Sequence, residues 1–153
     1  MPSDIIIRRA RHHERKLLED LQRHASLMWD AYREALLAHP DAIELPDAQI
    51  AAGRVLVAER HATILGFCVV LPGADGIAEL DGLFVAPDLA RQGIGRRLVQ
   101  AAERLARAEG AVVLAVIAAP EARGFYEACN FEQTHEQATR FGAALGMRKP
   151  LSG

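Results

Sequence analysis

The chain has 153 residues, half of them hydrophobic and a quarter charged, with a net charge of −2. That length suits a single domain over 1–153 with a sizeable core, and the near-neutral balance supplies no field to draw nucleic acid or an anionic membrane. Two cysteines, Cys68 and Cys129, make no disulfide framework and fit a reducing cytoplasm.

Met1-Pro2-Ser3-Asp4 lacks the basic-then-apolar pattern of a secretory signal, and the longest apolar run is too short to span a bilayer. The β-branched Ile5-Ile6-Ile7 reads as a first strand. From His12 to Ala38 the pattern is helical: Leu17, Leu18, Leu21 and Ala25 form an apolar stripe, continued by Leu27, Met28, Ala31, Ala35 and Leu36 in what reads as a second helix. The adjacent His12 and His13 point to different sides of a helix, and no C-x-x-C or H-E-x-x-H is present, so no metal site is expected. His39-Pro40-Asp41 ends the helical region, and residues 40–53 read as a loop with one short turn.

The period then changes. Val55–Ala58 and Ile64–Leu71 read as a hairpin turning at Arg60–Thr63. Pro72–Gly76 is a loop, and Ile77–Val85 is the next strand. A glycine-containing loop, Pro87–Gly95, leads to a helix over Arg96–Glu109, with Leu98, Ala101, Ala102 and Leu105 on one face and Gly110 at its C′ position. The continuous apolar run Ala111–Ile117 suits a strand buried on both faces. Pro120–Cys129 reads as a short helix, and Phe131–Gln137 and Phe141–Arg148 as two final strands. The order β-αα-ββ-β-α-β-α-ββ predicts an α/β (α+β) fold, a mixed sheet of about seven strands with helices on both faces.

Chemistry concentrates in Leu83-Phe84-Val85-Ala86-Pro87-Asp88-Leu89-Ala90-Arg91-Gln92-Gly93-Ile94-Gly95-Arg96-Arg97-Leu98. A strand ends, a loop with two glycines follows, and a helix opens. Unpartnered first-turn amides at such a point bind anions, and glycines admit a close approach. Arg91, Arg96 and Arg97 oppose the helix dipole there, which makes sense if a multiply charged anion binds; solvated arginines beside an ordinary helix start are the alternative. Leu98 stands where a dinucleotide fingerprint needs its third glycine, and no G-x-x-x-x-G-K-[ST] is present.

The segment Glu79–Glu103 resembles the acetyl-CoA motif of the GNAT superfamily of N-acetyltransferases: a strand, a proline, then R-x-x-G-x-G opening a helix. The family's leading arginine or glutamine aligns with Ala90, and Arg91 comes one position later. Pro120–Phe131 resembles the family's N-x-x-A-x-x-F-Y-x-x-x-G-F element through Ala122, Phe125, Tyr126 and Phe131, with Ala119 for the asparagine and Asn130 for the glycine.

The resemblance implies a GNAT fold and direct acetyl transfer from acetyl-CoA, as co-substrate, to an amine on a small molecule or a protein. The alternatives are a CoA-binding regulatory module with little catalysis and a protein acetyltransferase. It also implies pantetheine contacts at Phe84 and Val85, pyrophosphate contacts at Arg91, Gln92, Gly93, Ile94, Gly95 and Arg96, a proton donated to the departing thiolate by Tyr126, and a homodimer as one possible assembly. For the base, Glu79 and Asp81 share one strand face; Glu79 has the family position and stands first, Asp81 second, against a solvated strand face or a water chain. Trp29 and Tyr32 lie on the N-terminal helices as core or as a pocket wall.

Overall fold

The computed structural model describes residues 4–27, 45–89, 92–139 and 142–151. Trp29, Tyr32, the second N-terminal helix and Arg91 lie outside the described residues.

A single sheet of seven strands organises the molecule: β1 (Ile6–Arg9), β2 (Val55–Arg60), β3 (Thr63–Leu71), β4 (Ile77–Val85), β5 (Val113–Ala118), β6 (Glu132–Thr139) and β7 (Gly142–Pro150). Their order across the sheet is β1-β2-β3-β4-β5-β7-β6. Among the described residues only the β4–β5 pair is parallel, because its connection runs through a helix. The helices are α1 (Arg15–Leu27), α2 (Asp47–Ala51), α3 (Ile94–Ala108) and α4 (Arg123–Ala128). α1 begins after a 3₁₀ turn at His12–Glu14, where the Glu14 carboxylate accepts from the Arg11 amide at 2.8 Å and pairs with Arg8.

Two cores form, one on each face, because alternate strand residues point opposite ways. On one face Leu56, Cys68, Val70, Leu80, Leu114, Val116 and Met147 pack against Ile94, Leu98, Val99, Ala102 and Ala106 of α3. On the other, Val55, Val57, Phe67 and Val69 pack against Leu18 and Leu21 of α1, Leu45, and Ile50 of α2. Buried Glu103 of α3 receives Lys149 of β7 at 3.0 Å, tying the helix to the far half of the sheet.

The expectation that Ala111–Ile117 is buried on both faces is corrected. Leu114, Val116 and Ala118 are buried, whereas Ile117 is 42% exposed. α1 reaches β3 and β4, and no described helix covers β5 on that face.

Candidate active site

β4 and β5 pair only from Ile77↔Val113 to Leu80↔Val116. Beyond that point β5 continues beside β7, through Ile117↔Gly146 and Ala118↔Leu145, while β4 follows β3 to Val85. The two parallel strands therefore part, and the β5-facing backbone of Asp81–Val85 has no strand partner among the described residues. Polar backbone groups left free in this way await a ligand or water.

Past Val85, the Ala86 amide donates to the Leu65 carbonyl at 2.9 Å, holding the chain against β3 before a 3₁₀ turn at Pro87–Leu89. α3 then starts at Ile94, two residues earlier than the pattern predicts, because Gly93 forms the N-cap at φ +79°. No side chain caps this end, and no acidic residue lies in its first turn. The Arg97 amide closes the first turn on the Gly93 carbonyl at 3.1 Å. The amides of Ile94, Gly95 and Arg96 precede that bond and have no acceptor within the helix. A Cβ placed on Gly93 meets no described residue within 4 Å, so among the described residues the space beside this N-cap is open.

Gly95 is needed for the opposite reason. A Cβ there would stand 3.1 Å from the Phe125 ring of α4 and 3.7 Å from the Val85 side chain. The glycine lets the end of β4, the start of α3 and the helix bearing Tyr126 meet at one point. Of the expected loop residues, Gln92, Gly93 and Arg96 are exposed, while Ile94 puts its side chain in the core and offers only its amide. Arg97 turns back to donate to the Ile5 carbonyl, just ahead of β1, at 3.1 Å.

Tyr126 is 6% exposed, wedged edge-on between the Phe125 and Phe131 rings at centroid distances of 5.0 and 5.4 Å. No hydrogen bond joins its hydroxyl to another described residue. Burial, and then the neighbouring Cys68 and Cys129 thiols, hold the phenol well above its usual range. It stands protonated, with its oxygen in reach of solvent. Burial pushes the Cys68 thiol up to about 12. Cys129 is raised by burial too, against the pull of Arg96 and Lys149, so neither thiol has the depressed pKa of a nucleophile.

Glu79 and Asp81 lie on the α1 face of β4, as the period of two requires. The register steps from Val69↔Gly82 to Val70↔Leu80, leaving Asp81 unopposed in a bulge that re-aims it. Asp81, Gly82 and Phe84 line a pocket of about 190 Å³ with Gln22 of α1, Leu45, and Gln49 of α2; Glu79 is not among its lining residues. Both carboxylates reach solvent, yet the surrounding sheet removes part of their hydration. Partial burial raises Asp81, and raises Glu79 with a further push from the Asp81 charge. The Phe84 ring lies over Gly82, 2.7 Å from where a Cβ would stand, and stacks at 5.3 Å on Phe67. Gly82 and Ile117 are not singled out in the sequence; a glycine inside a strand pattern is the signal that marks such a bulge. A second groove, of about 680 Å³, runs between α1 and the β2–β3 turn to Pro87, with His13, Asp20 and His24 on its rim.

Among the described residues no cluster of His, Cys, Asp and Glu is arranged to hold a metal ion, and no helix is long and apolar enough to cross a membrane.

The profile of the acetyltransferase (GNAT) family matches residues 21–131. The chain belongs to this family. The fold of this GNAT protein is also that of solved structures. It superposes on the PaiA N-acetyltransferase of Thermoplasma acidophilum in complex with coenzyme A, with a TM-score of 0.77 and 20% identity over 95% of this chain and 98% of that one. For yncA from Salmonella typhimurium with its cofactor acetyl-CoA the values are 0.72 and 19%, over 97% and 95%. For the ribosomal-protein-S18-alanine N-acetyltransferase of Escherichia coli they are 0.70 and 18%, over 97% and 95%. At such identities the likeness speaks for the fold. Comparison with curated protein sequences gives no match.

Proposed function

We propose that this GNAT-family chain is an acetyl-CoA-dependent N-acetyltransferase acting by direct transfer to a primary amine. The observation that carries the reading is the parting of β4 from β5 after Leu80↔Val116, ahead of a helix start that, among the described residues, has no side-chain cap and open space beside its N-cap Gly93.

Acetyl-CoA supplies an activated acyl carbon and a diphosphate. The amides of Ile94, Gly95 and Arg96, with Gln92 and the Arg96 cation beside them, suit the diphosphate. The free backbone of Phe84 and Val85 suits an extended amide-bearing chain laid along the strand, and it polarises a carbonyl held there. Tyr126 keeps its proton until a thiolate leaves, and its hydroxyl, which reaches solvent and has no described partner, is free to donate. Asp81, at the bulge and in the pocket, takes the proton of the incoming ammonium, with Glu79 as the more distant partner.

Thiol release from acetyl-CoA, measured with and without a panel of amines, tests the reading. Amine-dependent release is expected. Tight binding of acetyl-CoA with no release on any amine would favour a regulatory CoA-binding module instead.

A further inference from the structure

The pocket beside Asp81 holds more polar groups than proton transfer needs. Gln22 comes from α1, Gln49 from α2, and Asp81, Gly82 and Phe84 from β4. The two helical walls are fixed to each other. Leu45, just ahead of α2, donates its amide to Glu19 of α1 at 2.8 Å, and its carbonyl accepts from Arg15 of α1 at 2.7 Å. Arg15 also pairs with Asp47, the first residue of α2, at 3.3 Å. Gln22 and Gln49 are therefore held beside one cavity by a clamp that involves neither of them.

Both glutamines are half-buried, and neither carboxamide has a hydrogen-bond partner among the described residues. Each offers a carbonyl acceptor and two N–H donors. Polar groups partly withdrawn from water favour a ligand that completes their hydrogen bonds. The β4 wall is apolar: the Phe84 ring lies over Gly82 and stacks on the buried Phe67 ring. Among the described lining residues Asp81 alone carries charge. The Arg15 cation of the clamp is engaged by Leu45, Asp47 and Glu19. The cavity, of about 190 Å³, has room for about six water-sized groups.

From this lining we infer that Gln22 and Gln49 determine acceptor specificity, and that the acceptor is a short aliphatic amino alcohol. The inference rests on the transferase reading. The ammonium goes to Asp81, the carbon chain lies against Phe84, and the hydroxyl accepts from one carboxamide while donating to the other. An alkyl amine of the same length leaves both carboxamides unpaired, the mismatch by which a hydrogen-bonding site rejects an apolar analogue. An amine bearing a carboxylate in place of the hydroxyl brings a second negative charge beside Asp81, and no cation among the described lining residues offsets it.

The test sets 4-amino-1-butanol against n-pentylamine, matched in length and similar in basicity, and against 4-aminobutanoate. The parent should favour the amino alcohol in kcat/KM by about tenfold over the alkyl amine and by more over the carboxylate. Gln22→Leu and Gln49→Leu keep the side-chain bulk and remove the carboxamide. Each should lower the amino alcohol's advantage over n-pentylamine by about threefold, and the double variant should abolish it. The parent's selectivity needs no variant to be read: equal or better turnover of n-pentylamine or of 4-aminobutanoate overturns the inference, as does an advantage that survives in the double variant. Calorimetric titration of 4-amino-1-butanol into the coenzyme A-saturated protein gives a readout independent of turnover. If no amine is acetylated, the transferase reading fails on its own; amino-alcohol binding that weakens in Gln22→Leu then still supports the pocket's selectivity, and binding that is absent, or unchanged in that variant, overturns it.

Discussion

At Gly93, backbone conformation and open space can be separated by choice of side chain. Its φ of +79° disfavours most residues, but asparagine tolerates the left-handed region. Gly93→Asn should therefore fold normally while placing an amide group over the Ile94–Arg96 amides. Calorimetry should show acetyl-CoA binding weakened by about tenfold or more, some 1.4 kcal/mol. Tyr126 separates stability from catalysis in a similar way. Its hydroxyl has no described partner, so Tyr126→Phe leaves no buried group newly unsatisfied and should not lower the unfolding midpoint. Loss of a positioned acid should lower kcat by about 10²–10⁴-fold with acetyl-CoA affinity retained. For Asp81, burial raises the carboxyl above its usual range. The folded protein then holds the proton more tightly than the unfolded chain. This favours the fold below the unfolded value of about 3.9, and the contribution is lost as pH rises through the folded value. At neutral pH Asp81→Asn should be neutral or mildly stabilising, yet it should depress kcat/KM. The deficit should be largest where the amine is mostly protonated and should shrink at alkaline pH; a pH–rate profile beside a melting curve checks both.

The elements show where local pattern suffices and where it does not. The β2–β3 hairpin turns at His61 and Ala62, with φ of 49° and 67°, the left-handed pair that a two-residue turn demands. Spacing of the flanking apolar residues was enough to locate this turn, although neither residue favours it. Ala62→Gly should relieve the strain and raise stability by about 1 kcal/mol, seen as a higher denaturant midpoint at unchanged m. The glycine loop and the Phe125-Tyr126 helix were legible because their chemistry is local: glycines, a helix start and an aromatic pair at fixed offsets. β5 was misread because an apolar run cannot say how far neighbouring helices reach, and α1 stops over β4. The Asp81 bulge was hidden as well, since it arises from register against β3 and not from the strand's own residues.

Across the whole molecule, the site depends on contacts between segments far apart in the chain. Gly95 touches Phe125, Asp81 shares a pocket with Gln22 and Gln49, and Ile117 lies in register with Gly146. A linear reading reaches the two motifs but not the walls of the Asp81 pocket, which come from different strands and helices. Ligand that binds only the folded chain stabilises it by mass action, about 2.7 kcal/mol at one hundred times Kd. Acetyl-CoA at that excess should raise the melting temperature by about 5–10 °C, and Gly93→Asn should shrink the rise. The central claim is that acetyl passes from acetyl-CoA to an amine at this site. The most direct measurement is mass-spectrometric detection of ¹³C-acetylated amine after incubation with ¹³C-acetyl-CoA, parent against Tyr126→Phe. The account predicts labelled product with the parent and at least about a hundredfold slower formation with the variant. Equal rates from the two proteins, or no labelled product from any amine with a parent that binds acetyl-CoA, would contradict it.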